Sequence, residues 1–200
     1  IKGGWINRNK ILLNGEAHVF RVPLKNASSF VTIGKTEINH VLYDGWKNKF
    51  LKTLEQAYRK APYYETGYRL VADVLNSSKG TIGELAAKSI VDTCSYLGIK
   101  TELVLSATHY GNSELKSEER VKDICRIEGA NTYINATGGR ELYDKEDFER
   151  AGLKLQFIKT HSITYPQLGN EFVPWLSVID VMMFNSPETI QVFLKECSFE

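Results

Sequence analysis

Residues 118–158 read EERVKDICRIEGANTYINATGGRELYDKEDFERAGLKLQFI, and the reading of this stretch decides the fold class. Val121, Ile124, Cys125 and Ile127 form one stripe of a helix that Gly129 ends, and Thr132 to Ile134 follows as a short strand. Thr137-Gly138-Gly139 then breaks the chain. Asp147 to Ala151 is a brief helix closed by Gly152, and Leu153 to Ile158 alternates apolar and polar residues as a strand does. Strand, glycine, helix, glycine, strand is the spacing of parallel strands joined through a crossover helix.

The segment before it runs the same way. Thr81 and Glu84 have the spacing of a capping box, Leu85, Ile90, Val91, Cys94 and Leu97 complete a helix stopped by Gly98, and Glu102 to Leu105 reads as a buried strand. Two successive cycles make this an α/β chain. Further upstream, Ile11 to Leu13 and Ala17 to Val22 flank Asn14-Gly15, a type I′ turn signal for a β-hairpin. Ser28 to Ile33 reads as another strand. Trp46 to Ala57 carries a helical stripe with Asp44 as the expected N-cap, and Glu65 to Leu75 reads as a further helix ended at Asn76 to Gly80. Leu176 to Phe184 and Pro187 to Leu194 are helical, the second opened by a Ser186 cap with Pro187 in first position.

The expected architecture is therefore an α/β, three-layer-like domain with a mostly parallel sheet, an N-terminal β-hairpin and a helical C-terminal part. Residues 1–200 are read as a single domain, N-terminally incomplete because the chain begins at Ile1, with 46–97 a mainly helical section inside it.

Composition narrows the function classes. The 42% hydrophobic and 24% charged content is that of an ordinary globular chain, which argues against disorder. No apolar run reaches the ~20 residues that cross a bilayer, so membrane insertion is not expected. A formal net charge of +1 removes the broad basic footprint of a nucleic-acid binder, and any anion site must be local. Cys94, Cys125 and Cys197 are an odd set without Cys-x-x-Cys spacing, read as thiols of a reducing compartment, and the expected location is the cytoplasm. His18, His40, His109 and His161 are scattered and predict no metal site.

Four regions are candidates for chemistry. Asn7, Arg8 and Asn9, with Lys2 and Lys10, put several donors in a short span after Gly3-Gly4, suited to a carboxylate or phosphate; a solvated hairpin edge is the structural alternative. Lys49 and Lys52 share a helix face and together can hold an anion, or are simply solvated. Asn135 with Gly138-Gly139 follows a strand, where open α/β sheets bind ligands and where glycines allow close backbone approach; a tight structural turn explains the same residues. His109 and Arg120 lie in and after the loop that follows Leu105, His109 as proton carrier and Arg120 as the group that stabilises developing charge. Asp180, in an apolar helix, must find a partner, and backbone capping or an arginine in the core is the expected one.

Several pieces carry a family resemblance: Trp5-Ile6-Asn7-Arg8-Asn9, Trp46-Lys47-Asn48-Lys49, Tyr58-Arg59-Lys60-Ala61-Pro62-Tyr63, Arg120 with Ile124-Cys125, Gly138-Gly139-x-x-Leu142-Tyr143, and Leu176-Ser177-Val178-Ile179-Asp180. In this order the chain resembles the WbqC-like protein family over nearly its whole length. The opening strand and Gln-Pro segment typical of that family do not occur in this sequence. The resemblance implies a bacterial surface-polysaccharide (O-antigen) setting and a sugar or nucleotide-sugar substrate, with acyl or amide transfer as a reaction class. It also leaves open a noncatalytic binding or assembly role. The expected partner is an anionic small molecule, with no nucleic acid, and self-association into a homo-oligomer is a further expectation; no cofactor is named by the sequence.

Overall fold

Asn14 and Gly15 both adopt positive φ, 54° and 80°, the conformation a two-residue type I′ turn requires and one that glycine enters without a Cβ penalty. They join β1 (Arg8–Leu13) to β2 (Glu16–Arg21) as an antiparallel hairpin in which Leu13 faces Glu16 and Arg8 faces Arg21. The structure, a computed structural model, describes residues 5–28, 30–77, 80–169 and 171–200. Lys2, Gly3 and Gly4 of the expected basic loop lie outside the described residues.

The chain clusters into two units, Ile1–Thr101 with Thr164–Phe193, and Glu102–Ile163 with Leu194–Glu200. Among the described residues the first holds the hairpin and the α-helices α1 (His40–Tyr58), α2 (Tyr64–Ser77), α3 (Ile82–Tyr96), α6 (Val178–Phe184) and α7 (Pro187–Phe193). Phe50, Leu54 and Tyr58 are the buried stripe of α1, as their spacing of four requires. The capping box of α3 forms in full, with Thr81 Oγ1 accepting from Glu84 N at 3.2 Å and Glu84 Oε2 from Thr81 N at 2.9 Å. Ser177 caps α6 through its side chain, and its own N–H donates to Lys10 O at 2.8 Å, tying the start of α6 to β1.

Two local expectations in this unit are corrected. The cap of α1 is Asn39, whose side chain accepts from Leu42 N, and not Asp44. The first turn escapes a periodicity search because Val41 and Leu42 are exposed there. The segment expected as a strand at 28–33 forms turns and a 3-10 turn at Ile33–Lys35, with Phe30 almost fully exposed; Ser29 lies outside the described residues. An apolar run becomes a strand only where another strand offers it an edge.

The second unit contains α4 (Ser117–Ile127), β3 (Thr132–Ala136), α5 (Lys145–Arg150), β4 (Lys154–Thr160) and β5 (Cys197–Phe199). β3 and β4 pair in parallel, Tyr133 opposite Leu155, with α5 in the connection between them. β5 joins the far side of β4 antiparallel, giving the order β3-β4-β5. The architecture is thus mixed α/β; among the described residues parallel pairing is confined to β3 and β4. Leu155 and Phe157 alternate inward from β4 and pack with Phe148, Leu153 and Cys125. Tyr133 stacks on Phe148 with centroids 5.6 Å apart. The expected strand at Glu102 to Leu105 does not form: Leu103, Val104 and Leu105 are exposed in irregular chain, and among the described residues no ladder pairs them.

Among the described residues no helix is long and apolar enough to cross a membrane.

Candidate functional site

A cavity of about 380 Å³ opens in the first unit where the start of β1, α1, α2, α3 and the start of α6 meet. Its size is at the lower end of ligand pockets, which span about 300–1,000 Å³. Leu70, Val71 and Val74 of α2 and Leu85 of α3 supply an apolar wall, and Trp46, stacked on Phe50 at 5.4 Å, supplies an aromatic one. Asn7, Arg8 and Asn9 line the same cavity, so the sequence motif and the apolar wall belong to one site. Asn7 is held in place by backbone and side chain together: Val22 N donates to its carbonyl and its Nδ2 donates to Val22 O, both at 2.7 Å. Arg8 lies over the Trp5 ring, 4.6 Å from the centroid, in a cation–π contact.

Arg8 is the one charged side chain among the described residues that line this cavity. Its described walls hold no carboxylate, imidazole or amine; Cys94, Ser89 and Thr93 are the hydroxyl and thiol groups contributed by α3. The arrangement can bind an apolar group and meet an anionic end with a guanidinium.

Directly behind the cavity wall formed by Ser177, Val178 and Ile179 stands Asp180, fully buried. Tyr58 Oη donates to its Oδ1 at 2.8 Å; Tyr165 Oη and Gln167 Nε2 each donate to Oδ2 at 2.7 Å. Tyr58 Oη also accepts from Leu12 N at 2.7 Å, and Gln167 Oε1 accepts from Val173 N at 2.8 Å. One carboxylate therefore ties together β1, α1, α6, Tyr165 and Gln167. The expected arginine partner is corrected to two tyrosines and a glutamine, neutral donors that satisfy the carboxylate without adding a second buried charge. Burial pushes the Asp180 carboxyl above its ordinary value against the pull of its three hydrogen bonds. Burial, and then the nearby Asp180, push the Tyr58 and Tyr165 hydroxyls up as well.

The lysine pair is divided by its surroundings. Lys52 lines a second depression, a groove at the other end of β1 and α1, whereas Lys49 lines neither this groove nor the cavity.

The remaining predicted residues belong to the second unit. His109 is exposed on a 3-10 turn, Ala107–Tyr110, and its ring meets Tyr110 edge-on at 5.3 Å. Arg120 reaches from α4 to this turn, Nη2 donating to Ala107 O at 3.1 Å and Nε to Asn112 Oδ1 at 3.2 Å. Asn112, buried, in turn donates to Asp123 Oδ2 at 2.8 Å. Arg120 thus positions the His109 turn. Gly139 is buried, and a Cβ there would lie 2.7 Å from Asn135 Nδ2, so its lack of a side chain is what lets Asn135 fold over it; a Cβ at Gly138 would meet open space. Asn135 Oδ1 accepts from Ala136 N at 2.7 Å. Burial pushes the Cys125 thiol up, as befits a core cysteine. Among the described residues no group of three or more His, Cys, Asp or Glu side chains is placed to hold a metal ion.

The model of the WbqC-like protein family matches residues 1–192. The chain belongs to that family. It is also similar to the Uncharacterized protein Rv1507c of Mycobacterium tuberculosis (strain ATCC 25618 / H37Rv), 25% identical over 200 residues, with 98% of this chain and 84% of the relative covered. No solved structure matches it. In this WbqC-like chain, the pieces of sequence that carry the resemblance in the first unit converge: Trp5 to Asn9 and Trp46 line the cavity, Tyr58 and Asp180 stand behind it, and Arg59 and Lys60 line the groove. Sequence reasoning missed Tyr165, Gln167, Arg59 and Lys60 as site residues. Asp180 was visible as a charge in an apolar run, but its partner Tyr58 is 122 positions away and carries no local signal.

Proposed function

We propose that this chain binds a small molecule combining an apolar group with an anionic one, in the cavity of the first unit, as part of bacterial surface-polysaccharide (O-antigen) biosynthesis. The observation that carries the binding reading is Arg8, the one charged side chain among the described residues that wall this largely apolar cavity. An apolar moiety gains by leaving water, at about 25 cal/mol per Å² buried, and the guanidinium meets a phosphate or carboxylate with several donors in a fixed plane. The pathway is what the family resemblance implies, and the cytoplasmic setting is what the odd set of cysteines without Cys-x-x-Cys spacing implies. In that setting the ligand class is an activated acyl group or a sugar derivative of comparable polarity.

Octyl phosphate is a suitable probe, followed through the fluorescence of Trp5 and Trp46. Saturable binding is expected, weakened about tenfold by Arg8→Gln, as loss of a charge-assisted hydrogen bond implies. Ser89→Trp, which fills the cavity, abolishes it. Binding unchanged in both variants overturns the reading.

Acyl or amide transfer to a sugar or nucleotide sugar is the second reading. What favours it is the Arg120 tie to the turn that presents His109. In this reading His109 takes the proton of the sugar hydroxyl or amine that attacks the carbonyl of the activated acyl group and returns it to the departing leaving group, Arg120 stabilises developing charge, and Asn135 with the Gly138-Gly139 backbone supports the sugar. Turnover lost in His109→Ala while octyl phosphate still binds is the expected result; turnover retained sinks His109 as the proton carrier.

A further inference from the structure

The groove at the far end of β1 is built differently from the cavity. It measures about 790 Å³ and is walled by the Asn14-Gly15 turn, the last turns of α1 and Leu168. Lys52, Glu55 and Gln56 lie on the last turns of α1 and Arg59 and Lys60 in the cap and turn that follow it, so this wall presents three cations, a carboxylate and a carboxamide. Among the described residues Lys52, Arg59 and Lys60 form no ion pair, although Glu55 precedes Arg59 by four positions, the orientation that favours one. In a chain whose formal net charge is only +1, this is a local concentration of positive charge.

Both walls of the groove are anchored to the same buried carboxylate. Leu12, on one wall, donates its N–H to Tyr58 Oη, which donates to Asp180; Gln167, next to Leu168 on the other, donates to Asp180 directly. Anchored walls hold their shape before a ligand arrives, which lowers the entropic cost of binding.

The wall chemistry selects the ligand. From Lys52 to Tyr58, its last residue, α1 rises about 9 Å, and Arg59 and Lys60 follow in the turn beyond it, which gives the reach of one sugar ring with a phosphate and is too short for an extended polyanion. Glu55, Gln56 and Asn14 can accept from or donate to hydroxyls, while Leu12 and Ala57 offer an apolar floor. No aromatic side chain occurs among the described residues lining the groove, so there is no platform on which a nucleobase can stack.

We infer that this groove is a binding site for an anionic saccharide, a sugar phosphate or a uronic acid, held by Lys52, Arg59 and Lys60 without recognition of a nucleobase. The pairing of this site with the cavity, one for the sugar and one for the apolar group, rests on the function proposed above; the groove's own ligand does not.

The test is titration calorimetry on the full chain with α-D-glucose 1-phosphate, and with glucose, inorganic phosphate and UDP as separate probes. Glucose 1-phosphate is expected to bind saturably and at least tenfold more tightly than glucose or phosphate. The variant carrying Lys52→Gln, Arg59→Gln and Lys60→Gln, all exposed positions, should lose that affinity at least tenfold, and Gln56→Glu should weaken it in the same direction. Lys154→Gln, an exposed position of β4, should leave it unchanged. Undiminished binding by the triple variant, equal binding of phosphate alone, tighter binding of UDP, or no binding by the parent chain overturns the inference. Octyl phosphate on the same variants separates the two proposals: if it fails to bind the parent while glucose 1-phosphate binding remains groove-dependent, the cavity reading falls and the saccharide site stands.

Discussion

Tyr58 and Asp180, separated by 122 positions, share a 2.8 Å hydrogen bond at a point where the apolar cavity and the cationic groove both take their support. The hydroxyl works in both directions, donating to Asp180 and accepting from Leu12 N. Tyr58→Phe keeps the ring and its edge contact with Phe184 while leaving a buried backbone N–H without its acceptor. A loss of about 2 kcal/mol is expected, since an unsatisfied buried polar group costs about 1–3 kcal/mol. Urea unfolding checks it, and a change within experimental error would mean that the hydroxyl is not a structural link.

The pH dependence of this hub has a definite sign. Burial holds Asp180 above its ordinary value, so the folded chain binds that proton more tightly than the unfolded one. Its contribution to stability is full below the unfolded value, about 3.9, and is lost as pH rises through the raised folded pKa. The stability of the parent relative to Asp180→Asn should therefore fall as pH rises above about 4. Asp123 has the opposite sign: the Asn112 amide, and then Arg126, hold it below its usual range. Its contribution is present above about pH 3.9 and lost as pH falls through the folded pKa. Urea midpoints across this range, for the parent, Asp180→Asn and Asp123→Asn, separate the two.

The paired glycines of the loop after β3 should respond unequally. Gly139→Ala forces the Asn135 side chain off Ala136 N and should cost about 1 kcal/mol, the net worth of one hydrogen bond, whereas Gly138→Ala should be close to neutral. Adding Asn135→Ala to Gly139→Ala should add little to the loss. Thermal melts of the four proteins provide the check, and equal effects at 138 and 139 would contradict the close approach.

Phe148, with no exposed surface, anchors the cluster of the second unit; Leu97, Met182 and Ile190 form a separate cluster in the first. Phe148→Ala should cost about 3–5 kcal/mol. Hydrogen exchange should accelerate more in β3 and β4 than in α3 and α6. Uniform acceleration would show that residues 1–200 open as the single cooperative domain that their length suggests.

What the sequence determined unaided was set by neighbours in the chain. The Asn14-Gly15 turn needs only two residues able to take positive φ, and the Thr81–Glu84 box closes over three positions. The two helices of 118–158 and the glycines that end them follow from short-range apolar periods and local stops in the chain. Asn7, Arg8 and Asn9 were legible as a cluster of donors for the same reason, being adjacent. Tertiary structure alone decided whether an apolar run became a strand: 132–136 found β4 beside it, while the described residues of 28–33 and 102–105 read much the same and pair with no strand among the described residues. It also decided that Asp180 meets Tyr58, Tyr165 and Gln167, that Arg8 lines an apolar cavity, and that Lys52 gathers with Arg59 and Lys60 against a distant turn. Backbone conformation and capping are short-range and written locally; the choice of a partner across the fold is made by packing, and no spacing in the sequence encodes it.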